Sequence, residues 1–472
     1  MLTSISPIDG RYNKTTSPLA KYFSEQALMR YRVIVEGEYL IALSDARVMR
    51  QLSSREKNII RKLYNLSSRE AQIISAIETK GYKNIKATDH DVKAVEYFLK
   101  DKLEKAGLKN VLEWVHFGLT SEDTNNLSYA LMLKAGISDI IIPNISLILR
   151  SIEISSQKYK NLPILARTHG QPASPTTFGK EFKIFYARIN RQLEALKKMK
   201  ILAKLNGATG NYNAHVAAFS KVNWIKFSEK FIKILNFSSY EGMSGRAKNL
   251  KSSILNLKCN LFTTQIEPHD SYIEIFDCVR RINTILIDFN QDIWRYISDE
   301  WIVQTPKAGT IGSSTMPHKI NPIKFENSEG NLGIANAIFE FFARKLPISR
   351  LQRDLSDSTV QRNIGSAFAY SLIAYEYLLK GLSGISINKQ KVTDVLNSHP
   401  EVIAEAVQTI LRKEGARMPY EQLKELTRGK QITLNDIHHF TDGLNVKPEI
   451  KKKLKRLTPT NYTGLADKLA KM

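Results

Sequence analysis

Apolar residues recur at steps of three and four through the middle of the chain, which is the pattern of amphipathic helices. The run that begins at Phe178 keeps one apolar face for about 26 residues, or about 39 Å of helix at ~1.5 Å per residue. Its apolar positions are Phe182, Phe185, Ile189, Leu193, Leu196, Met199 and Ala203. A second run alternates steps of four and three, as a bundle seam does, at Ile275, Val279, Ile282, Leu286, Phe289, Ile293 and Tyr296. We predict long helices over both runs, over 137–157 and 331–346, and from Phe368 to Leu382.

Several of these predicted helices are apolar on more than one side. The segment 140–149 places isoleucine or leucine at seven of its positions: Ile140, Ile141, Ile142, Ile145, Leu147, Ile148 and Leu149. A helix of this kind needs neighbours on more than one side. The pattern therefore favours a large helical core or an oligomer.

Two segments interrupt the helical patterns with turn residues. Segment 161–177 contains Pro163, Gly170, Pro172 and Pro175, and segment 305–322 contains Pro306, Gly309, Gly312, Pro317 and Pro322. Neither segment can be helical throughout, and functional residues tend to lie on such loops. From about residue 367 the pattern predicts shorter helices with frequent breaks. Strand signals are weak, and the 23 glycines and 15 prolines are few for 472 residues, which disfavours an all-β fold.

Length and composition are typical of a globular protein of roughly three domains. The unusual value is the net charge of +23, from 69 Lys+Arg against 46 Asp+Glu. It permits nucleic-acid binding, an anionic small-molecule substrate, or a lysine-rich surface without a specific partner. Two cysteines exclude a multi-disulfide framework and suit a reducing compartment. Because no run of 18 apolar residues and no secretory signal is present, we expect a cytoplasmic protein without a membrane span.

The densest chemistry lies in Ser313–Pro322, which reads SSTMPHKINP. Its hydroxyl, ammonium and amide donors suit binding of a carboxylate or a phosphate. The Gly-rich phosphate loops of dinucleotide and P-loop sites are missing from the sequence, which disfavours a nucleotide site of those types.

This string resembles the signature of the fumarase/aspartase superfamily, whose members eliminate fumarate from a succinyl compound. Within the superfamily, the chain is similar to the adenylosuccinate lyases of the longer bacterial-type branch. The resemblance runs through nearly the whole chain in six further ordered motifs, which are Ser6–Tyr12, Asp89–Glu96, His116–Asp123, Arg167–Ala173, Thr264–His269 and Gln352–Arg362.

The resemblance implies an all-α fold in three domains, at 1–113, 114–366 and 367–472. Long helices of the central domain would join those of three other subunits in a homotetrameric bundle. Each active site would then combine motifs from three subunits, which would also account for helices that are apolar on several sides.

The same resemblance assigns roles to individual residues. His169 would be the general acid that protonates the leaving nitrogen, and Ser313 would be the general base that removes a proton from carbon. The residues that would bind the substrate are Arg11, Tyr12, His90, Asp91, Thr120, Ser121, Gln265, Ser314, Lys319, Asn321, Asn327, Arg353, Ser358, Thr359 and Arg362. Of these, Arg11, Tyr12, Ser358, Thr359 and Arg362 would contact the phosphate and ribose, and Thr120, Ser121, Lys319 and Asn321 the succinyl carboxylates. The chain departs from its relatives at Asp89, where they usually have asparagine, and a carboxylate there would repel an anionic substrate unless it points away or Lys93 neutralises it.

These residue types suit the reaction. Removing a carbon-bound proton builds negative charge on the adjacent carboxylate, which fixed donors such as Lys319 and Asn321 would stabilise. Serine is a weak base and needs activation by nearby positive charge, whereas histidine titrates near neutrality and suits proton donation. The reaction needs no metal and no cofactor. Two alternatives stay open, namely another fumarate-releasing lyase such as one that acts on argininosuccinate, and a non-catalytic basic binding protein.

Overall fold

Helices dominate the structure, a computed structural model that describes residues 2–237, 254–305, 316, 318–429 and 432–472. Helices hold 64% of the described residues, and the strands of these residues form three two-stranded sheets. The prediction of an all-α fold is therefore confirmed.

The secondary-structure elements follow one another in short succession. The α-helices, in chain order, are α1 Asn13–Thr16, α2 Ala20–Phe23, α3 Glu25–Asp45, α4 Ser54–Lys62, α5 Ser68–Thr79, α6 Asp91–Lys105, α7 Ser121–Gly136, α8 Ile142–Lys158, α9 Phe178–Lys198, α10 Asn213–Ala218, α11 Trp224–Phe237, α12 Asp270–Ser298, α13 Ile323–Lys345, α14 Ser356–Gln361, α15 Ile364–Leu382, α16 Lys389–Asn397, α17 Ala404–Lys413, α18 Pro419–Thr427, α19 Leu434–Asp442, α20 Pro448–Lys455 and α21 Ala466–Lys471. Three short 3-10 helices and one π-helical segment lie between them, at Ser17–Leu19, Lys109–Trp114, Pro400–Ile403 and Ile137–Ile141. The strands are β1 Pro163–Thr168, β2 Gln171–Thr177, β3 Lys200–Ala203, β4 Asn256–Cys259, β5 Ile302–Gln304 and β6 Ile385–Ile387.

The chain divides into two compact units. The first unit comprises 1–145, 191–284 and 330–376. Its helices α3 and α7 are buried on nearly all sides, as expected of helices that are not confined to one apolar stripe. A cluster of aromatic rings packs around Phe276, whose centroid lies 5.4 Å from that of Phe339 and 6.0 Å from that of Phe368. Parallel pairing of β3 with β4 completes this core.

The second unit comprises 146–190, 285–329 and 377–472. It contains the antiparallel hairpin β1–β2 and the antiparallel pair β5–β6. The rings of Phe178, Tyr296 and Trp301 pack edge-to-face and stacked, with centroids 5.2–6.4 Å apart. Its last stretch holds the six short helices α16–α21, which agrees with the predicted breaks after residue 367. The domain boundaries near 113 and 366 stay a prediction.

Most of the periodic runs predict the ends of the long helices more closely than their starts. Helix α12 covers the second periodic run and α15 covers the third. The prediction that the first run continues as helix to Ala203 is wrong. Helix α9 ends at Lys198, and residues 200–203 form β3 because they pair with β4, which lies more than 50 residues later in the chain.

One continuous helix among the described residues, Ser121–Lys158, is long and apolar enough to cross a membrane by length and composition alone, although its sequence contains no unbroken run of 18 apolar residues. In its most apolar window 56% of the residues are buried inside the protein. It also carries the fully buried ion-pair residue Asp123. These features are those of a core helix whose apolar surface packs against protein.

Candidate active site

His169 lies at the tip of the hairpin β1–β2 in the second unit. Thr168 pairs with Gln171, so His169 and Gly170 form a two-residue turn. Their φ angles of 54° and 75° are the two left-handed values that a type I′ hairpin turn requires. The hairpin therefore presents the His169 side chain at an exposed position. A left-handed backbone is unfavourable for histidine, and such strain is often found at functional sites.

Lys319 and Asn321 also belong to the second unit and lie just before α13. The Lys319 N–H donates to the Met316 carbonyl over 3.0 Å, and the Gln304 Nε2 donates to the Ile320 carbonyl over 2.8 Å. The second contact ties this segment to β5. Lys319 is exposed and Asn321 is half-buried, so the ammonium is available to an anion.

Asn327 is half-buried on the first turns of α13. Its neighbour Ser328 is fully buried and accepts a hydrogen bond from Asn290 Nδ2 over 3.0 Å, which fixes this end of the helix. Ser313 and Ser314, predicted as the base and its neighbour, lie outside the described residues.

His90 and Ser121 meet in the first unit. His90 is the N-cap of α6, and its Nδ1 accepts the Lys93 backbone N–H over 3.3 Å. The proton of the neutral ring therefore lies on Nε2, which is 3.3 Å from the Ser121 Oγ and can donate to it. This leaves the hydroxyl proton of Ser121 free to bind an acceptor such as a carboxylate.

Asp91 joins the guanidinium groups of Arg32 and Arg362. Its Oδ2 accepts from Arg32 Nη2 over 2.7 Å and from Arg362 Nη2 over 2.8 Å. Burial would raise the pKa of Asp91, but the positive charges of Arg32 and Arg362, together with the hydrogen bonds from Arg32 and the Val92 N–H, hold that pKa below its ordinary value. Asp91 thus remains an anion and orients two cations.

Arg362 is held by a second carboxylate as well. Its Nη1 donates to both oxygens of Glu25, over 2.6 and 2.5 Å. Ser358 and Thr359 precede it on α14, with Thr359 exposed and Ser358 half-buried. Two hydroxyls and an orientated guanidinium within five residues are the donor types that bind phosphate.

Arg353 and Gln265 are linked to the start of α7. Arg353 Nη1 lies 3.0 Å from Glu122 Oε2, in the residue that follows Ser121. The Gln265 N–H donates to the Gln352 carbonyl over 3.3 Å. The structure therefore brings the segments of Ser121, Gln265 and Arg353 together.

Thr120 and Arg11–Tyr12 complete the predicted residues of the first unit. Thr120 caps α7 in a capping box with Asp123, whose Oδ2 accepts the Thr120 N–H over 3.0 Å. The Arg11 guanidinium lies 5.9 Å from the centre of the Tyr12 ring, at cation–π distance. Arg11 is exposed and Tyr12 half-buried, in the loop before α1.

The Asp89 carboxylate, which was expected to repel an anionic substrate, is not buried within the protein. It is exposed and has a left-handed φ of 50°, a conformation that aspartate and asparagine tolerate better than most residues. Lys93, considered as its neutralising partner, donates instead to Glu96 over 2.8 Å. Exposure to water, rather than a lysine, reduces the effect of this carboxylate.

Sequence reasoning missed the buried charged residues that bind and orient the residues of the site. Arg32 is almost fully buried and donates to Asn125 Oδ1 as well as to Asp91. Buried Glu36 binds His116 Nδ1 over 2.6 Å. Burial lowers the pKa of His116, but the charge and hydrogen bond of Glu36 outweigh this and raise it. The signal was a charged residue inside an apolar helical run, as in Tyr31-Arg32-Val33.

Comparisons with known proteins agree with the ordered motifs. The chain matches the family described as Lyase over residues 10–337 and the family described as Adenylosuccinate lyase C-terminal over residues 349–463. It is 46% identical over 470 residues to the adenylosuccinate lyase of Escherichia coli strain K12, and the aligned region covers 98% of this chain and 97% of that protein. The adenylosuccinate lyase of Haemophilus influenzae is 45% identical over 473 residues, with 99% and 98% covered.

Solved structures of low sequence identity share the fold. A fumarate lyase from Mesorhizobium sp. BNC1 superposes with a TM-score of 0.70 at 14% identity, and 96% of each chain is covered. The 3-carboxy-cis,cis-muconate lactonizing enzyme from Pseudomonas putida also gives 0.70, at 17% identity, with 96% of this chain and 95% of that chain covered. At these identities the likeness shows the fold alone.

Proposed function

The chain belongs to the adenylosuccinate lyase family of the fumarase/aspartase superfamily, and we propose that it eliminates fumarate from adenylosuccinate to give AMP. The proposal rests on 45–46% sequence identity, over nearly the full length of the chain, to two adenylosuccinate lyases. By the same chemistry it would cleave succinylaminoimidazole carboxamide ribotide to aminoimidazole carboxamide ribotide and fumarate, which places it in purine biosynthesis. The substrate is thus an anionic small molecule with one phosphate and two carboxylates.

The reaction is a β-elimination by acid and base. Ser313 would take a proton from the carbon next to the one that carries nitrogen. The electrons of that C–H bond form the double bond of fumarate, the C–N bond breaks, and His169 protonates the leaving nitrogen. Lys319 and Asn321 would stabilise the negative charge that builds on the neighbouring carboxylate.

The first unit would bind the rest of the substrate. Ser121, whose Oγ lies 3.3 Å from His90 Nε2, would donate to a succinyl carboxylate together with Thr120. Arg362 with Ser358 and Thr359 would bind the phosphate. Arg11 and Tyr12 would also contact the phosphate and ribose. Gln265, His90 and Asp91 would orient the base and the linker, and Arg353 would complete the pocket together with Asn327, which belongs to the second unit.

Phosphate recognition separates this proposal from a lyase that acts on argininosuccinate, which has no phosphate. The experiment is a direct comparison of fumarate release from the two substrates by the purified chain. We expect turnover of adenylosuccinate only. Release from argininosuccinate alone would reassign the substrate.

We also propose that the enzyme is a homotetramer whose active sites are shared between subunits. Long helices leave large apolar side chains between 42% and 59% exposed, namely Leu147, Ile154, Trp294, Ile334 and Phe341. Contact with other subunits would bury them. The test mixes the inactive variants Ser313→Ala and His169→Ala, and shared sites predict that activity returns on reassembly. Mixed tetramers that stay inactive would count against sharing.

A cytoplasmic location without membrane or nucleic-acid partners is part of the proposal. Both cysteines are unpaired, which suits a reducing compartment. Part of the basic run 451–456 is engaged in contacts within the chain, at its surface, because Lys451 and Lys455 bind the carbonyl and carboxylate of Asp442, each over 2.6 Å. Retention of nucleic acid at physiological salt with a steep salt dependence would contradict it.

A further inference from the structure

Lys204 is a fully buried lysine that lies outside every motif identified in the sequence. It follows β3 in the first unit and forms an ion pair with Asp123, with Nζ 2.9 Å from Oδ1 and both side chains 0% exposed. The same ammonium donates to the Gln265 carbonyl over 2.8 Å and to the Gly207 carbonyl over 3.0 Å. Because it is sealed from solvent, Lys204 cannot contact a substrate.

Stability alone is a weak reason for such a pair. Removing two charges from water is costly, and apolar residues of similar size often stabilise a protein as well as a buried ion pair does. What apolar residues could not do is hold a backbone carbonyl at a fixed place. Lys204 does this for Gln265, while Asp123 accepts the backbone N–H groups of Asn206 and Gly207 over 3.1–3.3 Å.

The contacts of Lys204 belong to a closed ring. Asp123 follows Glu122, which pairs with Arg353 over 3.0 Å. Arg353 follows Gln352, whose carbonyl accepts the Gln265 N–H over 3.3 Å. The Gln265 carbonyl returns to Lys204. Two links of this ring join motifs directly, and Lys204, which belongs to no motif, closes the ring by linking Asp123 to the Gln265 carbonyl.

We infer that Lys204 is a positioning residue, which fixes Gln265 relative to Thr120 and Ser121 so that all three bind one substrate. The inference rests on the proposed function, because that function gives these three residues their contacts. Displacement of Gln265 would weaken substrate binding. It would lower kcat less, because Gln265 only helps to orient the base, whereas His169 and Ser313 themselves lie in other segments of the chain. Misplacement by about 1 Å can cost on the order of 10²-fold.

The test compares Lys204→Met with the neutral pair Lys204→Met/Asp123→Asn, which removes both buried charges and guards against a failure to fold. We expect the folded variants to raise KM for adenylosuccinate by about 10- to 100-fold, with a smaller change in kcat. Hydrogen exchange of the backbone around Gln265 should also become faster, because one of its two anchors is lost. Lys204→Arg, which keeps the charge, should recover part of the KM.

Lys134→Met is the matched control. Lys134 is a half-buried lysine of the same unit whose Nζ donates to Asn236 and to Asn256 over 3.0–3.2 Å, away from the three motifs. Its KM should stay within twofold of the wild type.

The outcomes separate cleanly. If wild type turns over adenylosuccinate and the folded Lys204 variants keep its KM, the inference is overturned while the proposed function stands. If both Lys204 variants fail to fold, the role is structural and the inference is again overturned. If wild type releases no fumarate, the proposed function fails and the inference fails with it.

Discussion

Replacing His169 by asparagine should change stability and activity in opposite directions. The residue sits at the first central position of a type I′ turn, with φ 54° beside Gly170 at 75°. Asparagine followed by glycine is the sequence that this turn prefers. The substitution therefore relieves backbone strain while it removes the proposed general acid.

The stability gain follows from the backbone conformation. A left-handed residue costs an ordinary L-amino acid roughly 1–2 kcal/mol, and asparagine recovers part of this. Since position 169 is exposed, little packing is lost, and we expect a gain of about 0.5–1 kcal/mol. In a chain of 472 residues that corresponds to a rise in Tm of about 0.5–1 °C.

The loss of activity follows from the chemistry. A positioned acid or base contributes about 10²- to 10⁴-fold, so kcat for fumarate release should fall by that factor. Thermal unfolding and steady-state kinetics on the same preparations measure both effects. His169→Ala should lose the same activity without the gain in Tm, and His439→Asn, at an exposed histidine of α19, should change neither.

Two results would refute the reasoning. A kcat within a few-fold of the wild type would remove His169 from the role of general acid. A Tm that fell by several degrees would show that the imidazole stabilises the turn by more than the left-handed backbone of His169 destabilises it.

Three further predictions concern charge and pH. Burial, only partly offset by hydrogen bonds from Asn260 and the His269 N–H, raises the pKa of Glu267 from 4.5 to about 7. Wild type should therefore lose stability relative to Glu267→Gln as pH rises from about 5 to 8, by on the order of 3 kcal/mol. Chemical denaturation at several pH values measures this difference, and a difference that did not vary with pH would contradict the prediction. Because the pKa of His116 is raised in the folded state by Glu36, the stability lost in Glu36→Gln should be largest below pH 6.5 and shrink as pH rises through the folded pKa, which the same titration checks. Arg362→Gln should raise KM for adenylosuccinate by about 10- to 100-fold, the value of one charge-assisted contact, and an unchanged KM would exclude Arg362 as a phosphate ligand.

The sequence alone predicts those helices whose apolar periodicity is satisfied by contacts along a single helix. The run from Ile275 to Tyr296 predicts α12 because each apolar step of three or four residues is satisfied within one helix. Strand β3 could not be foreseen in this way. Its partner β4 follows after more than 50 residues, and the pairing overrides a helical pattern that continues through Ile201 and Ala203.

The same division applies to the site. The ordered motifs locate His90, Ser121 and Arg362 in the sequence, and the structure then brings His90 to Ser121 and Asp91 to Arg362. The residues that hold them are separated widely in the chain, since Glu25 binds Arg362 across 337 positions. Contacts of that range depend on tertiary packing, and no local pattern records them.

The most direct test of the proposed function is the product analysis of purified chain incubated with adenylosuccinate. We predict that AMP and fumarate appear in equal amounts, at a rate that His169→Asn reduces by at least about 10²-fold. A folded wild-type protein that leaves adenylosuccinate unchanged, or that forms products at the same rate without His169, would contradict the proposed function and mechanism.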